Sequence, residues 1–115
     1  GLTFFYVRLF YYIYTVINNK MKVQNTFKYY QDPGHGWIAV KVELLEQLGI
    51  NGQISEFSYI NETGTTAYLE EDCDASLFVE KYIEAFGQKP QWKDAYTDKK
   101  HWVRSYPSYS VELKK

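Results

Sequence analysis

Residues 26–42, TFKYYQDPGHGWIAVKV, decide the fold that the sequence predicts. Two runs rich in aromatic and β-branched residues flank the tetrapeptide DPGH at positions 32–35, as expected for two strands joined by a turn. Proline fixes the first central position of such a turn, and glycine tolerates the positive φ that a type II turn requires at the second. The Asp32 carboxylate is suited to accept hydrogen bonds from the turn backbone. We therefore predict a β-hairpin with His35 exposed at its tip and Trp37 directed into the domain.

Downstream of this hairpin, the pattern predicts a short helix and a second hairpin. The segment VELLEQLG has leucines at helical spacing and ends at Gly49, a typical residue after the last helical turn. Residues 53–60 and 65–71 are expected to be strands, and the segment NETGT between them is expected to be their turn.

The clearest helix is predicted within residues 72–90, where apolar residues at helical spacing form one stripe: Leu77, Phe78, Tyr82, Ile83 and Phe86. Asp72 or Asp74 is expected to cap its first turn, and Gly87 to end it. In the tail, HWVRSY and YSVEL are expected to be strands. The element order predicts an α+β fold, with an antiparallel sheet from two β-hairpins and two helices packed on one face.

The composition limits the class of protein. The chain has 115 residues, enough for one domain, and an apolar fraction of 45% that is typical of globular proteins. A net charge of −1 excludes a strong overall attraction to nucleic acid or to anionic membranes. Aromatic residues make up 19% of the chain, which favours strands, a packed core and interfaces. The single cysteine, Cys73, excludes an intrachain disulfide and favours a reducing compartment such as the cytoplasm.

Residues 1–20 differ from the rest of the chain. Residues 2–17 are almost wholly apolar, yet this stretch is short for a membrane span and lacks the features of a secretory signal. We expect an extended or non-native segment ahead of a natural start at Met21, with residues 21–115 forming the single domain. The alternatives are a membrane anchor and an ordered apolar element that contacts a second copy. No membrane association is expected unless residues 2–17 are a genuine anchor.

The motifs DPGHGWIAVKVELLEQLGI, AYLEEDCDASLFVEKYIEAFG and SYPSY carry a resemblance to a known family. On these motifs the chain resembles a family of small proteins found in bacteriophages and other mobile elements. The resemblance runs from Met21 to about Tyr109 and leaves out residues 2–20. It implies a phage or prophage setting, with the host cytoplasm as the location, and it implies no biochemical activity because none is assigned to the family.

The densest charge cluster consists of Glu70, Glu71, Asp72 and Asp74. Carboxylates at this density suit a divalent metal ion, which prefers oxygen ligands, or mimicry of nucleic-acid phosphates. The alternative is negative charge at a helix N-terminus, where capping and the helix dipole favour it by about 1 kcal/mol. Because capping already explains Asp72 or Asp74, we expect the structural role and no metal or cofactor.

The two histidines and the cysteine give weak signals for other chemistry. His35 and His101, with Cys73 and Asp32, are residue types that bind zinc, but no pair of them shows ligand spacing. A Cys73 nucleophile with a His35 base is conceivable, yet the flanking aspartates would raise the pKa of the thiol. We expect a buried structural cysteine and predict no catalytic residue.

The tail interleaves aromatic and basic residues. Trp92, Trp102, Arg104 and Tyr106 have the chemistry to stack on bases and contact phosphates. Packing of these aromatics on the sheet is the favoured alternative. Nucleic-acid-binding domains usually have a positive net charge, whereas the net charge of this chain is −1.

We therefore expect a non-catalytic accessory protein that binds a macromolecule, through a protein–protein contact or through self-association. Six residues are candidates for binding: His35, Trp37, Trp92, Trp102, Arg104 and Tyr106. Two alternatives remain open. One is a nucleic-acid-binding module that uses the tail, and the other is a small metal-dependent enzyme that uses His35 and the acidic cluster.

A shortened chain that begins at Met21 is expected to fold on its own, because the two predicted hairpins and two helices supply the core. Its thermal unfolding, followed by circular dichroism, should show one cooperative transition, as should that of the full chain. Loss of the transition in the shortened chain alone would show that residues 1–20 belong to the fold.

Overall fold

A computed structural model of the chain describes residues 8–11, 13 and 23–110. The strands are β1 (Thr26–Gln31), β2 (Gly36–Lys41), β3 (Tyr59–Ile60), β4 (Thr66–Glu70) and β5 (Gln91–Tyr96). Helix α1 spans Val42–Gln47, helix α2 spans Ala75–Phe86, and Trp102–Ser105 form a 3-10 helix. Residues 8–11 and 13 are helical and exposed, and the predicted N-terminal extension otherwise lies outside the described residues. In the described parts of the chain, no helix combines the length and the apolar character needed to cross a membrane.

Within residues 23–110, the five strands form one mixed sheet in the order β3-β4-β2-β1-β5. Strand β2 pairs antiparallel with β1 and with β4, β4 pairs antiparallel with β3, and β5 pairs parallel with β1. The α+β class is confirmed, but the prediction of a purely antiparallel sheet from two hairpins is wrong. Helix α2 carries the chain from β4 to the far edge of the sheet, and such a crossover returns the next strand in the same direction. The segment QWKDAY therefore enters the sheet as β5, although its central charges obscure a strand pattern.

Two predicted strands are replaced by other structure. Within residues 53–60 only β3 is a strand, because the segment before it bonds to the Asp74 carboxylate through Ser55 and Ser58. In the tail, HWVRSY contains the 3-10 helix rather than a strand. Most of the predicted strand YSVEL lies outside the described residues.

Helices α1 and α2 pack on one face of the sheet, as predicted. Alternate strand residues point toward them. The shared core includes Phe27, Ile38, Val40, Ala67 and Leu69 from the strands, and Leu45, Phe78 and Tyr82 from the helices. The predicted helix ends are confirmed as well, because Gly49 and Gly87 follow α1 and α2 with φ angles of 72° and 71°.

The 3-10 helix and the residues around it cover the opposite face of the sheet. Trp37 and Tyr68 point to this side and form a second core with Val103. Trp37 is only 1% exposed while His35 is exposed, which confirms both placements predicted for the hairpin. The tail thus packs on a sheet face that the two helices leave open.

The hairpin turn differs from the predicted type II turn. Gly34 is not among the described glycines with a positive φ. Instead, Oδ1 of Asp32 accepts hydrogen bonds from the backbone N–H groups of Gly34 and His35 at 2.9 and 3.0 Å. The aspartate side chain therefore holds the turn, which confirms the hydrogen bonding expected of Asp32.

Gly36, the first residue of β2, is required by close packing rather than by its φ angle. A Cβ at this position would clash with the ring of Tyr29, whose hydroxyl is held by its hydrogen bond to Glu71. We expect Gly36→Ala to lower the free energy of unfolding by about 1–3 kcal/mol, the usual range for overpacking. Denaturant unfolding followed by tryptophan fluorescence measures the difference.

Gly52→Ala is the matched control, because nothing lies within 4 Å of a Cβ at Gly52 and its φ is not positive. This variant should be as stable as the unsubstituted chain, or slightly more stable. Equal stability of the two variants would contradict the close-packing explanation.

Candidate functional site

The Asp32 carboxylate joins the hairpin turn to the C-terminal tail. Besides the two turn N–H groups, it accepts hydrogen bonds from the backbone N–H of His101 at 3.0 Å and from Nε and Nη2 of Arg104 at 2.7 and 2.9 Å. Hydrogen bonding to Arg104 is the main reason why the pKa of Asp32 lies far below its usual value. Both charges are therefore present at neutral pH, and Arg104 is committed to a structural ion pair.

His101 and Arg104 enclose Trp37 on the tail side of the sheet. The guanidinium carbon of Arg104 lies 4.9 Å from the centre of the Trp37 ring, within the range of a cation–π contact. The His101 ring packs against Tyr30 at a centroid distance of 5.0 Å, and its Nδ1 accepts a hydrogen bond from the backbone N–H of Val103 at 3.2 Å. An accepting Nδ1 requires that nitrogen to be unprotonated, so His101 is neutral in this arrangement.

The predicted helix cap is wrong. Asp74 occupies the position before α2, but its side chain makes no capping hydrogen bond. The carboxylate instead accepts hydrogen bonds from the N–H and Oγ of Ser55 at 3.0 and 2.7 Å, and from Oγ of Ser58. Oγ of Ser58 in turn accepts a hydrogen bond from the N–H of Glu70 at 2.9 Å. Asp74 therefore fastens the loop before β3 to the end of β4, and it is separated from the rest of the acidic cluster.

The structure brings His35 together with the other three acidic residues. One ligand atom from each of His35, Glu70, Glu71 and Asp72 lies within 4.8 Å of the others, and we refer to these four residues as the His35 cluster. Nδ1 of His35 is 3.2 Å from Oε1 of Glu70, whose Oε2 accepts a hydrogen bond from the N–H of Asp72 at 2.7 Å. The hydroxyl of Tyr29 donates a hydrogen bond to Oε2 of Glu71.

Strand pairing explains why these residues meet. Trp37 pairs with Glu70 in the register of β2 and β4, so the hairpin tip before β2 lies beside the turn after β4. The N–H of Glu71 also donates to the carbonyl of Gly36 at 3.0 Å. His35 and Glu70 are 35 positions apart in the chain, which is why motif spacing could not reveal that they are neighbours.

The His35 cluster holds more negative charge than its neighbours compensate. The Glu70 side chain is 8% exposed, and among the described residues its carboxylate contacts the His35 ring and the N–H of Asp72. Glu71 and Asp72 add two further carboxylates at the same place. Carboxylate oxygens together with an imidazole nitrogen are ligand types that bind divalent metal ions.

A cleft of about 250 Å³ lies beside the His35 cluster. The aromatic residues Trp37, Phe57 and Tyr59 line it, together with Arg104 and Cys73. Phe57 is 64% exposed, so part of the lining is an unburied aromatic ring. A ligand that enters the cleft would therefore meet both the cluster and an aromatic surface.

Cys73 is exposed, so the expectation of a buried structural cysteine is wrong. A hydrogen bond to Glu70 is the main cause that raises the pKa of Cys73 above its usual value, and nearby carboxylates add to it. The thiolate is the nucleophilic form of cysteine. A thiol whose pKa is raised is a poor nucleophile at neutral pH, which argues against a Cys73–His35 catalytic pair.

The tail residues predicted for binding do not form one surface. Trp92 in β5 lies on the helix side of the sheet, where its ring is 6.3 Å from that of Phe27. Trp102 and Tyr106 lie on the opposite side, with ring centroids 5.6 Å apart. Arg104 is held in its ion pair. Of the predicted tail residues, only Trp102, Arg104 and Tyr106 therefore lie on the same side of the sheet.

Comparisons of this chain with protein-family models, with curated proteins and with solved structures find no match. The resemblance to a phage or mobile-element family therefore stays a prediction.

The buried His101 side chain makes stability depend on pH. Burial lowers the pKa of His101 below its usual value of 6.5, so the unfolded chain binds a proton at pH values where the folded chain does not. The contribution of His101 to stability is therefore complete above about pH 6.5 and is lost as the pH falls toward the folded-state pKa. We expect the free energy of unfolding of the unsubstituted chain to decrease between about pH 7 and pH 5.

His101→Gln removes the titrating group and should flatten this part of the pH dependence. His35→Gln is the matched control, because it replaces the other histidine of the chain and should keep the contribution of His101. Denaturant unfolding at several pH values measures each slope. The same slope in His101→Gln and in the unsubstituted chain would contradict the assignment.

Proposed function

We propose that this protein binds a divalent metal ion at the His35 cluster. The observation that carries the proposal is the convergence of one imidazole nitrogen and three carboxylate oxygens within 4.8 Å of one another. Ligand atoms bonded to an ion at about 2.0–2.2 Å lie roughly 3–4 Å apart, so small side-chain rotations would close the site. His35 and Asp72 are exposed, and their side chains have the freedom to make that adjustment.

Ligand type favours zinc or manganese over calcium or magnesium. Calcium and magnesium prefer sites made of oxygen alone, whereas imidazole together with carboxylates suits the transition metals. An ion of charge +2 would offset most of the charge of the three carboxylates, including that of the buried Glu70. A metal ion in this position would act as a Lewis acid toward an oxygen atom of a ligand in the cleft.

This proposal moves the metal-dependent alternative ahead of the accessory-protein hypothesis. Capping by Asp72 or Asp74 is the structural alternative, and Asp74, which occupies the cap position of α2, makes no capping hydrogen bond. Binding of a macromolecular partner, the phage setting and a cytoplasmic location stay predictions.

Zinc or manganese(II) is expected to raise the melting temperature of the chain in a saturable manner, because an ion that binds only the folded state stabilises it by mass action. At about 100 times its Kd, the ion would add roughly 2.7 kcal/mol to the free energy of unfolding. Thermal unfolding over a range of metal concentrations measures the shift. Native mass spectrometry gives the number of ions bound.

Two variants test the assigned ligands. Asp72→Asn and His35→Gln each weaken or remove one ligand at an exposed position, so both should lose most of the shift. Asp98→Asn, which changes an exposed aspartate in the loop after β5, is the matched control and should keep it. The proposal fails if the unsubstituted chain shows no saturable shift, or if the shift is the same in Asp72→Asn.

A further inference from the structure

A second surface combines basic and aromatic side chains on the tail side of the sheet. It consists of Lys28, Tyr30, Lys93 and Trp102, and we call it the Lys28 surface. Residues two apart in a strand point to the same side, so Lys28 shares the side of Tyr30. Lys93 in β5 lies directly opposite Lys28 in the parallel register, and the Trp102 ring is 5.0 Å from that of Tyr30.

Neither of the two lysine side chains has an oppositely charged partner among the described residues. Both are exposed, and neither takes part in an ion pair within the part of the chain that the structure describes. Asp94 is next to Lys93 in the strand but points to the helix side, where it accepts a hydrogen bond from Gln31 at 3.2 Å. Like charges directly opposite on neighbouring strands are destabilising, so an anion placed between the lysines would be stabilised by both.

Trp102 offers a flat ring on the same side of the sheet as these charges. It is 49% exposed, although Tyr30 and Tyr106 hold its ring in edge-to-face contacts at 5.0 and 5.6 Å. A ring that is fixed by its neighbours and still open to solvent is suited to stacking on a planar group. Two residues along a strand rise by about 7 Å, so Lys28 lies about that far along β1 from Tyr30, which contacts the ring.

We propose that the Lys28 surface binds single-stranded nucleic acid, with a base stacked on Trp102 and phosphates at Lys28 and Lys93. Unpaired bases are free to stack on aromatic side chains, whereas the bases of a duplex are already stacked. An acidic protein would satisfy the lysines but would make no such use of the exposed ring. The net charge of −1 means that the attraction comes from this surface and not from the chain as a whole. The proposal is independent of the metal site.

Fluorescence anisotropy with a labelled oligothymidine of about 12 nucleotides tests the proposal, starting at about 50 mM salt. Lys28→Gln combined with Lys93→Gln should weaken binding and reduce the slope of log K against log salt by about 1.4, since each phosphate contact to a single strand contributes about 0.7. Trp102→Leu should lower the affinity about tenfold or more, with little change in that slope, because base stacking is lost while phosphate contacts remain.

Lys81→Gln combined with Lys89→Gln is the matched control, because it removes the same charge from α2 and from the exposed segment after it, outside the Lys28 surface, and should leave binding unchanged. Far-UV circular dichroism checks that every variant is folded. If Trp102→Leu does not fold, the affinity of the double lysine variant decides the test. A labelled polyglutamate of equal length should bind much more weakly than the oligonucleotide. Equal binding of polyglutamate, no binding at low salt, or unchanged affinity in the double lysine variant would each overturn the proposal.

Discussion

The buried ion pair between Asp32 and Arg104 is the contact on which the rest of the structure depends. One carboxylate accepts hydrogen bonds from its own turn and from residues 69 and 72 positions further along the chain. Desolvation of such a pair is offset only when nearly every lone pair is satisfied, and loss of one partner typically costs about 3–5 kcal/mol. Through this pair the tail is held on the sheet, where it covers Trp37 and completes the second core.

Two carboxylates with structural roles position the three that are proposed to bind a metal. Asp32 shapes the hairpin turn, so His35 lies next to Glu70. Asp74 fixes the other side of the site, because its bond to Ser58 connects to the N–H of Glu70. Neither turn is held in place by hydrophobic packing alone. Polar contacts therefore bring the two turns that carry the cluster together, while the exposed His35 and Asp72 side chains keep the freedom to adjust.

The two proposed sites differ in how well the residue types in the sequence predict them. His35 and the acidic run stood out as unusual chemistry, but their meeting depends on the register of β2 against β4. Trp102 and Lys93 both belong to the aromatic and basic tail that indicated nucleic-acid binding, whereas Lys28 gave no such signal. The two lysines become a pair only because β5 lies parallel to β1, and a crossover of that kind leaves no local signal in either segment.

The sequence by itself determined the elements whose causes are local. Turn chemistry at residues 32–35 specified the first hairpin, and helical spacing ended by Gly49 and Gly87 specified α1 and α2. Only the tertiary structure decided which partner each polar side chain takes. Asp74 binds the two serines rather than the helix N-terminus, and Arg104 binds Asp32 rather than solvent. The physical reason is that capping and strand propensity are worth about 1 kcal/mol, whereas a buried carboxylate without partners costs several times more. Where a local preference and the pairing of a buried carboxylate require different conformations, the chain therefore adopts the one that pairs the carboxylate.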